Sequence, residues 1–463
     1  MVRSFFASAL VLIVALSSNA GTGDLVVRLN ENSTRALGSI LSSGDQVEAL
    51  IPSLGLYMIR PAYVRSLPVM MRTIQTNESV QNVFQDYKMS LRSLPNDLSF
   101  GKQWSLNPTA PVHVNAQEAW EITRGSPIHR SDEIVVAIID GGFQMDHADL
   151  VDNLWINKGE VAGNGVDDDG NGYVDDVNGW NAYNNSGKLT DNYHGTHVAG
   201  IVGARGNNNV GVTGVNWETR MMLIGGSSGN FSVVAKAYGY AMAQKKLWLE
   251  SSGQRGANVV VTNSSFGVDY AKCDTPTYSV WNDIYNEMGK LGILSAAATA
   301  NIAIDVDKEG DVPTGCNSPY IISVTNTDST DKKFGQAAWG RVTVDLGAPG
   351  TAIFSTYSGD QYQNLTGTSM ATPHIAGQVA LMHAGASAVF VDLYKKNPAQ
   401  GALELKKILM TTVDANSTLA GRTVSGGRMN LGRAVKVING FTAPTTSTLE
   451  EIENDPVFSP SAE

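Results

Sequence analysis

Positive charge is scarce in this chain. Its 463 residues carry 33 Lys and Arg against 44 Asp and Glu, a formal net charge of −11. That balance argues against nucleic acid as a partner, because affinity for phosphate backbones rests on clustered basic side chains. Long apolar runs are also missing. The longest, Phe5 to Leu16, is too short to cross a bilayer. It follows a basic Arg3 and ends in Ser18-Asn19-Ala20, so residues 1–20 read as a secretory signal cut after Ala20. The expected setting is extracellular, with no membrane span. Cysteine is nearly absent as well: Cys273 and Cys316 are the only two. None follows the expected cut, which excludes a lipid anchor there, and in an oxidising compartment the two are expected to pair.

What is present is a well-packed globular balance, 42% hydrophobic and 17% charged. Residues 21–94 hold strand-like runs, "DLVVRLN" and "GLYMIRP", around a helix-like segment, with seven basic residues against six acidic. From Pro95 on, acids dominate. After Gly440 comes "FTAPTTSTLEEIENDPVFSPSAE", rich in Pro, Ser, Thr and acid and without Lys or Arg, so 441–463 reads as a disordered tail. Between these ends, "IVVAIID" (134–140), "MMLIG" (221–225), "ANVVVTN" (257–263), "GILSAAA" (292–298) and "YIISVTN" (320–326) are nearly all apolar, as strands covered on both faces must be. Helical patterns fall between them, as at 230–248 and 279–290. The expected class is α/β, a doubly wound, mostly parallel sheet with helices on both faces over 95–440. Ligands of such sheets bind at the carboxyl ends of the strands.

Chemistry is therefore sought at strand ends and helix mouths. Asp140 closes its strand run ahead of Gly141-Gly142; alone, it could as well be a cap. His194 opens "HGTHVAG", where a cap or, with His197 three residues on, a metal ligand is also open. Ser369 lies at the start of "GTSMATPHIAG", a helix whose first N–H groups and dipole would favour developing negative charge. Gly367 would let the chain turn tightly into that helix, and Pro373 would be tolerated in positions that have no N–H bond to lose.

"VVAIIDGGFQMDHADL", "HGTHVAG" and "GTSMATPHIAG", in that order, resemble the three active-site blocks of the subtilisin-like serine proteases, from about Gln103 to Val437. The resemblance implies Asp140, His194 and Ser369 as a triad, with His194 taking the Ser369 proton and Asp140 orienting the imidazole. It implies Asn301, in "SAAATAN", as oxyanion donor, with Ala300 standing where the family has glycine in a wall of the specificity pocket. Ser265, Phe266 and Gly267 in "NSSFG" resemble the strand that pairs with an extended substrate, which favours protein and peptide substrates. Residues 21–94 resemble the family's inhibitory α+β prodomain, removed by self-cleavage within 88–95. The expected function is a secreted, monomeric serine endopeptidase acting through an acyl-enzyme, inhibited by its own prodomain. Two alternatives are an inactive calcium-binding protein on a protease scaffold and an esterase.

One acidic stretch lies outside these blocks. "NGVDDDGNGYVDD" (164–176) alternates Asp167, Asp169 and Asn171 ahead of Gly172 and Tyr173, like the opening of an EF-hand loop, but its twelfth position is Asn178 rather than Glu. It is expected to bind a structural Ca2+ through Asp167, Asp169, Asn171, the Tyr173 carbonyl and Asp176, with Asp175 second to it. A weaker candidate is Asp149 with the loop around Asn208, which resembles a calcium loop of the same family.

Overall fold

The computed structural model describes residues 23–30, 38, 41–63, 66–86 and 94–442. The expected signal peptide, most of the self-cleavage window and nearly all of the expected tail lie outside them. The chain divides into two compact units, 1–91 and 92–463.

The first unit carries strands β1 (Leu25–Leu29), β2 (Gln46–Ile51), β3 (Leu56–Arg60) and β4 (Val80–Gln85) in an antiparallel sheet of order β2-β3-β1-β4. Its helix, Leu67–Gln75, begins with Pro68 in the first turn, where no N–H bond is lost. Met70 and Ile74, four apart on one helix face, pack with Leu25, Val27, Ile59 and Val83. This is a small α+β unit with one face buried and β2 wholly exposed.

The second unit is built on β5 (Val135–Asp140), β6 (Gly179–Asn181), β7 (Arg220–Gly225), β8 (Val259–Ser264), β10 (Leu294–Ala298), β12 (Ile321–Thr327), β13 (Leu346–Pro349) and the short β16 (Asp414–Ala415) and β17 (Gly427–Arg428). They form one sheet of order β16-β17-β13-β12-β10-β8-β5-β7-β6. All its pairings are parallel except β16 with β17. The five apolar runs are β5, β7, β8, β10 and β12, and every residue of β5, β8, β10 and β12 is buried. Two separate hydrophobic clusters contain alternate residues of β5: Val136 and Ile138 in one, Val135, Ala137 and Ile139 in the other. The sheet is thus covered on both faces, which is why its strands need no polar side. The class is α/β, doubly wound and mostly parallel.

Strand order decides where a ligand can sit. After β5 the chain adds β7 and β6 on one side, then crosses to β8 and adds β10, β12 and β13 on the other. β5 lies at this reversal, and the crevice outside its carboxyl end is where doubly wound sheets bind ligands. Two smaller pairs flank the crevice: β9 (Val268–Asp269) with β11 (Asp311–Val312), and the hairpin β14 (Ile353–Tyr357) with β15 (Gln361–Leu365). Cys273 and Cys316 form a disulfide, Cα–Cα 5.1 Å, closing a 43-residue loop that contains β10 and β11. In the chain-entropy view such a closure contributes roughly 4 kcal/mol. No single helix among the described residues is long and apolar enough to cross a membrane.

Candidate active site

Asp140 is the last residue of β5 and is buried. Both of its carboxylate oxygens accept from His194 Nδ1, at 3.0 and 2.9 Å, and Oδ1 also takes the Gly141 N–H at 2.6 Å. His194 is the second residue of helix Tyr193–Gly203, whose cap Asn192 accepts the His194 N–H at 2.8 Å. The next residue must be glycine for this approach: a Cβ on Gly195 would stand 2.1 Å from the Gly142 carbonyl oxygen. Burial pulls the His194 pKa down, but the hydrogen bond and charge of Asp140 outweigh it and hold it above its ordinary 6.5.

His197 does not share this role. It is buried, its Nε2 donates to the carbonyls of Ile353 and Gln363, and burial lowers its pKa to about 4. It ties helix Tyr193–Gly203 to the β14–β15 hairpin as a neutral imidazole, which removes the His194–His197 metal pair from consideration.

Ser369 is the second residue of helix Thr368–Ala384 and is half-buried. Its hydroxyl donates to the Ser265 carbonyl at 3.3 Å rather than to His194. Catalytic hydrogen bonds are often loose before substrate binds. Two sequence-based reasons for the shape of this helix mouth need correction. Gly367 has φ 164°, ordinary extended backbone, and a Cβ there would only touch the Asn301 side chain at 3.4 Å. Pro373 is the sixth helical residue, past the free N–H groups, so its missing donor does cost a bond: the Ser369 carbonyl loses its usual partner four residues on. Ser265 Oγ supplies the replacement, donating to that carbonyl at 3.0 Å. Ser265 and Ser369 are thus joined twice, hydroxyl to carbonyl in both directions.

Asn301 sits beside the same mouth. Its Oδ1 accepts the Thr368 N–H at 2.9 Å and the Thr368 hydroxyl at 3.2 Å. That anchoring leaves the carboxamide Nδ2 as the group to donate. The Ser369 amide is among the first N–H groups of the helix, which have no intrahelical acceptor. The extra methyl of Ala300 is accommodated among Ile304, Val306, Ala338 and Val344. Phe266 packs against Tyr238 at the far side, ring centroids 6.4 Å apart, and Gly267 leads into β9. The sequence-named residues Asp140, His194, Ser369, Asn301, Ala300 and Ser265–Gly267 therefore come from three strand ends (β5, β8 and β10) and two helix mouths around one crevice.

The acidic loop lies elsewhere. Glu160, Asp167 and Asp169 bring ligand oxygens within 4.8 Å of one another. Glu160 was not foreseen, lying outside the alternating pattern; only its acidity near the loop could have flagged it. Like charges gathered this closely repel unless a cation or hydrogen-bond donors offset them. Here backbone amides do so in part: Asn171 and Gly172 donate to Asp167, and Asp168, Asp169 and Asp175 to Glu160. Asp176 stands apart from the cluster. It is fully buried, accepts from Asn157, Asn171, Tyr240 and Gln244, and burial pushes its pKa up to about 6. It fastens the loop to helix Phe231–Glu250. Asn171 turns its side-chain oxygen to the Tyr173 N–H, and the Tyr173 ring packs edge-on to Trp180 and Tyr240. At the second candidate, Asp149 accepts from Asn208 Nδ2 and Val212 N–H, both at 2.8 Å. Asp97, also missed in the sequence, lies nearby: it accepts the Asn207 N–H, its Oδ1 is buried without a partner, and burial raises its pKa to about 6.

Residues 131–429 match the model of the subtilase family. The chain is 30% identical over 334 residues to subtilisin-like protease 1 of Plasmodium vivax, covering 67% of this chain and 48% of that one. It thus spans about half the length of the Plasmodium relatives it matches. It is 29% identical over 347 residues to thermitase of Thermoactinomyces vulgaris, covering 74% of this chain and 99% of thermitase. Among solved structures, a protease of Pseudoalteromonas arctica superposes with a TM-score of 0.53 at 25% identity, over 74% of this chain and 99% of that one. The order of the three blocks, the reversal of the sheet at Asp140 and these matches converge on one statement: this chain belongs to the subtilase family.

Proposed function

We propose that the protein is a secreted serine endopeptidase that works as a monomer on protein and peptide substrates. The observation that carries this reading is the paired contact of His194 Nδ1 with both Asp140 oxygens, on a helix that packs against the one carrying the half-buried Ser369. In this reading Ser369 Oγ attacks the scissile carbonyl while His194 Nε2 takes its proton. Asp140 holds the imidazole in the tautomer with Nδ1 protonated and stabilises the imidazolium. The carbonyl oxygen, becoming an anion, is met by Asn301 Nδ2 and the helix-mouth amide. His194 then returns the proton to the leaving amine, and water releases the acyl group from Ser369 by the same steps. Residues 21–94 act as an intramolecular inhibitor that the enzyme removes by cutting within 88–95. Incubating the purified protein with casein and sequencing the products should give fragments ending at internal bonds. Intact casein, with hydrolysis of a small ester retained, would favour an esterase instead.

The pH dependence has a definite sign. His194 must be neutral to accept the proton, and Asp140 keeps its pKa above 6.5. Log kcat/KM should therefore fall on the acid side with a midpoint above 6.5, read with a peptide anilide across roughly pH 5 to 9. A midpoint below 6.5 would mean that another group limits the rate.

The donor set of Glu160, Asp167 and Asp169 fits a structural Ca2+: three hard, anionic oxygens held in one cluster. Asn171 and the Tyr173 carbonyl are the neutral donors proposed beside them, and Asp149 with the 207–212 loop is the weaker second site. Calcium should raise the unfolding midpoint of the Ser369→Ala protein, which cannot digest itself. Asp167→Ala with Asp169→Ala should remove most of the gain. Equal midpoints in calcium and in chelator would leave the loop as charged surface.

A further inference from the structure

Asp311 is 1% exposed and stands between the two walls of the active-site crevice. On one side its Oδ2 accepts the Ala300 N–H at 3.0 Å and the Thr314 hydroxyl. On the other, its Oδ1 lies 3.5 Å from the position a Gly267 Cβ would take. A Cβ there would also stand 2.7 Å from the Val312 carbonyl oxygen, so this wall is held to glycine beside Asp311. Oδ1 is buried and has no hydrogen-bond partner. A second acid adds to the field, since Asp269 of β9 faces Asp311 of β11 across their antiparallel pairing. Both walls lead directly to the reacting groups: Ala300 precedes Asn301, and Ser265, two residues before Gly267, is bound to Ser369.

A buried carboxylate oxygen without a donor is costly, and a ligand that brings a donor relieves that cost. Burial, with Asp269 adding a smaller push, raises the Asp311 pKa to about 7, so the free site holds its charge poorly and a cation arriving there relieves the strain. A lysine or arginine side chain passing between Gly267 and Ala300 would bring that cation, with N–H donors for Oδ1 and charge compensation for Asp269. An apolar side chain would leave Oδ1 as it is, buried and unpaired.

Resting on the endopeptidase reading above, we infer that Asp311 sets substrate specificity, selecting a cationic side chain on the residue that contributes the scissile carbonyl. The alternative is a structural acid that only ties the 311–314 turn to Ala300.

Two peptide anilides differing only in Arg or Leu before the scissile bond test this. The parent enzyme should favour Arg by at least about tenfold in kcat/KM, and Asp311→Asn should lower that ratio by roughly 10- to 100-fold. Active-site titration with a phosphonylating reagent counts competent enzyme in each preparation, so a folding loss does not enter the ratio. Benzamidine should compete with the Leu anilide on the parent more strongly than on Asp311→Asn. If the variant yields no titratable sites, the parent decides: Arg preference with benzamidine competition supports the inference, and its absence overturns it. A parent that prefers Leu, or a ratio unmoved by Asp311→Asn, overturns the inference while leaving the peptidase reading intact. Failure to cut either anilide, with no phosphonylation of Ser369, overturns both.

Discussion

Replacing Ser369 by Ala should abolish peptide hydrolysis, with kcat reduced on the order of 10^6-fold, the loss measured for the nucleophile of a member of this same family. The magnitude follows from the arrangement. Without Oγ there is no acyl-enzyme, and the Asp140–His194 pair has no proton to take. What remains is the ground-state binding of the crevice and the donors around Asn301. The fold should survive, because the hydroxyl makes one long bond, to Ser265 O at 3.3 Å, while the second link between these residues uses the Ser369 carbonyl and is untouched. Kinetics on a peptide anilide, with the circular dichroism of both proteins, gives the comparison. The same variant should keep residues 21–94 covalently attached when expressed in a protease-deficient host. Trimming at the parent's bond would mean that another enzyme does the processing, and parental activity would place the nucleophile elsewhere.

Asn301→Ala should lower kcat by about 10²- to 10³-fold, with KM changed far less. This range also comes from a member of the family. The carboxamide contributes mainly when the carbonyl oxygen becomes an anion, so its loss should appear in the transition state more than in binding. Asn301 has a second task, accepting the Thr368 N–H and hydroxyl through Oδ1. Asn301→Asp separates the two: it keeps the acceptor for Thr368 and removes the donor. Both variants should therefore be slow, and the Asp variant should be no less stable than the Ala variant. An unchanged kcat in either would assign the oxyanion to other donors.

The local signals in this chain were legible where one physical cause dominates. β5, β8, β10 and β12 are buried on both faces, so their sequences are near-continuous apolar runs and announced themselves within one or two residues of their ends. Helices Phe231–Glu250 and Val280–Lys290 followed their patterns equally closely. β13, "LGAP", and β6, "GWN", were not seen, because four and three residues with Gly or Pro carry no periodicity and their pairing is set by neighbours in the sheet. The hairpin β14–β15 was missed as well: β15, "QYQNL", is polar and mostly exposed, and β14, "IFSTY", is buried but short, with Ser and Thr breaking its apolar run.

At the site, residues within the three motif blocks were readable because each motif is local. What was not readable depends on distant segments meeting. Asp311 gains its meaning only from Ala300 and Gly267, and nothing around "GDVPTG" marks it. Glu160 joins Asp167 and Asp169 through a fold of the loop, and Asp97 reaches the Asn207 amide across more than a hundred residues. Asp176 stands where the sequence places a closing carboxylate of the loop, yet Tyr240 and Gln244 of a helix far along the chain hold it. Pro373 looks harmless if it lies in the free first turn of its helix. Its actual position costs the Ser369 carbonyl a partner, which Ser265 replaces.

The central claim is that Asp140 and His194 make one hydroxyl, that of Ser369, nucleophilic. Reaction of the self-processed protein with a fluorophosphonate, followed by intact mass and peptide mapping, tests it most directly. The account predicts a single adduct, on Ser369 and on no other serine or threonine, formed at a rate that falls as His194 is protonated and that collapses in His194→Ala. An adduct on a different residue, or full labelling of Ser369 at an unchanged rate in His194→Ala, would contradict it.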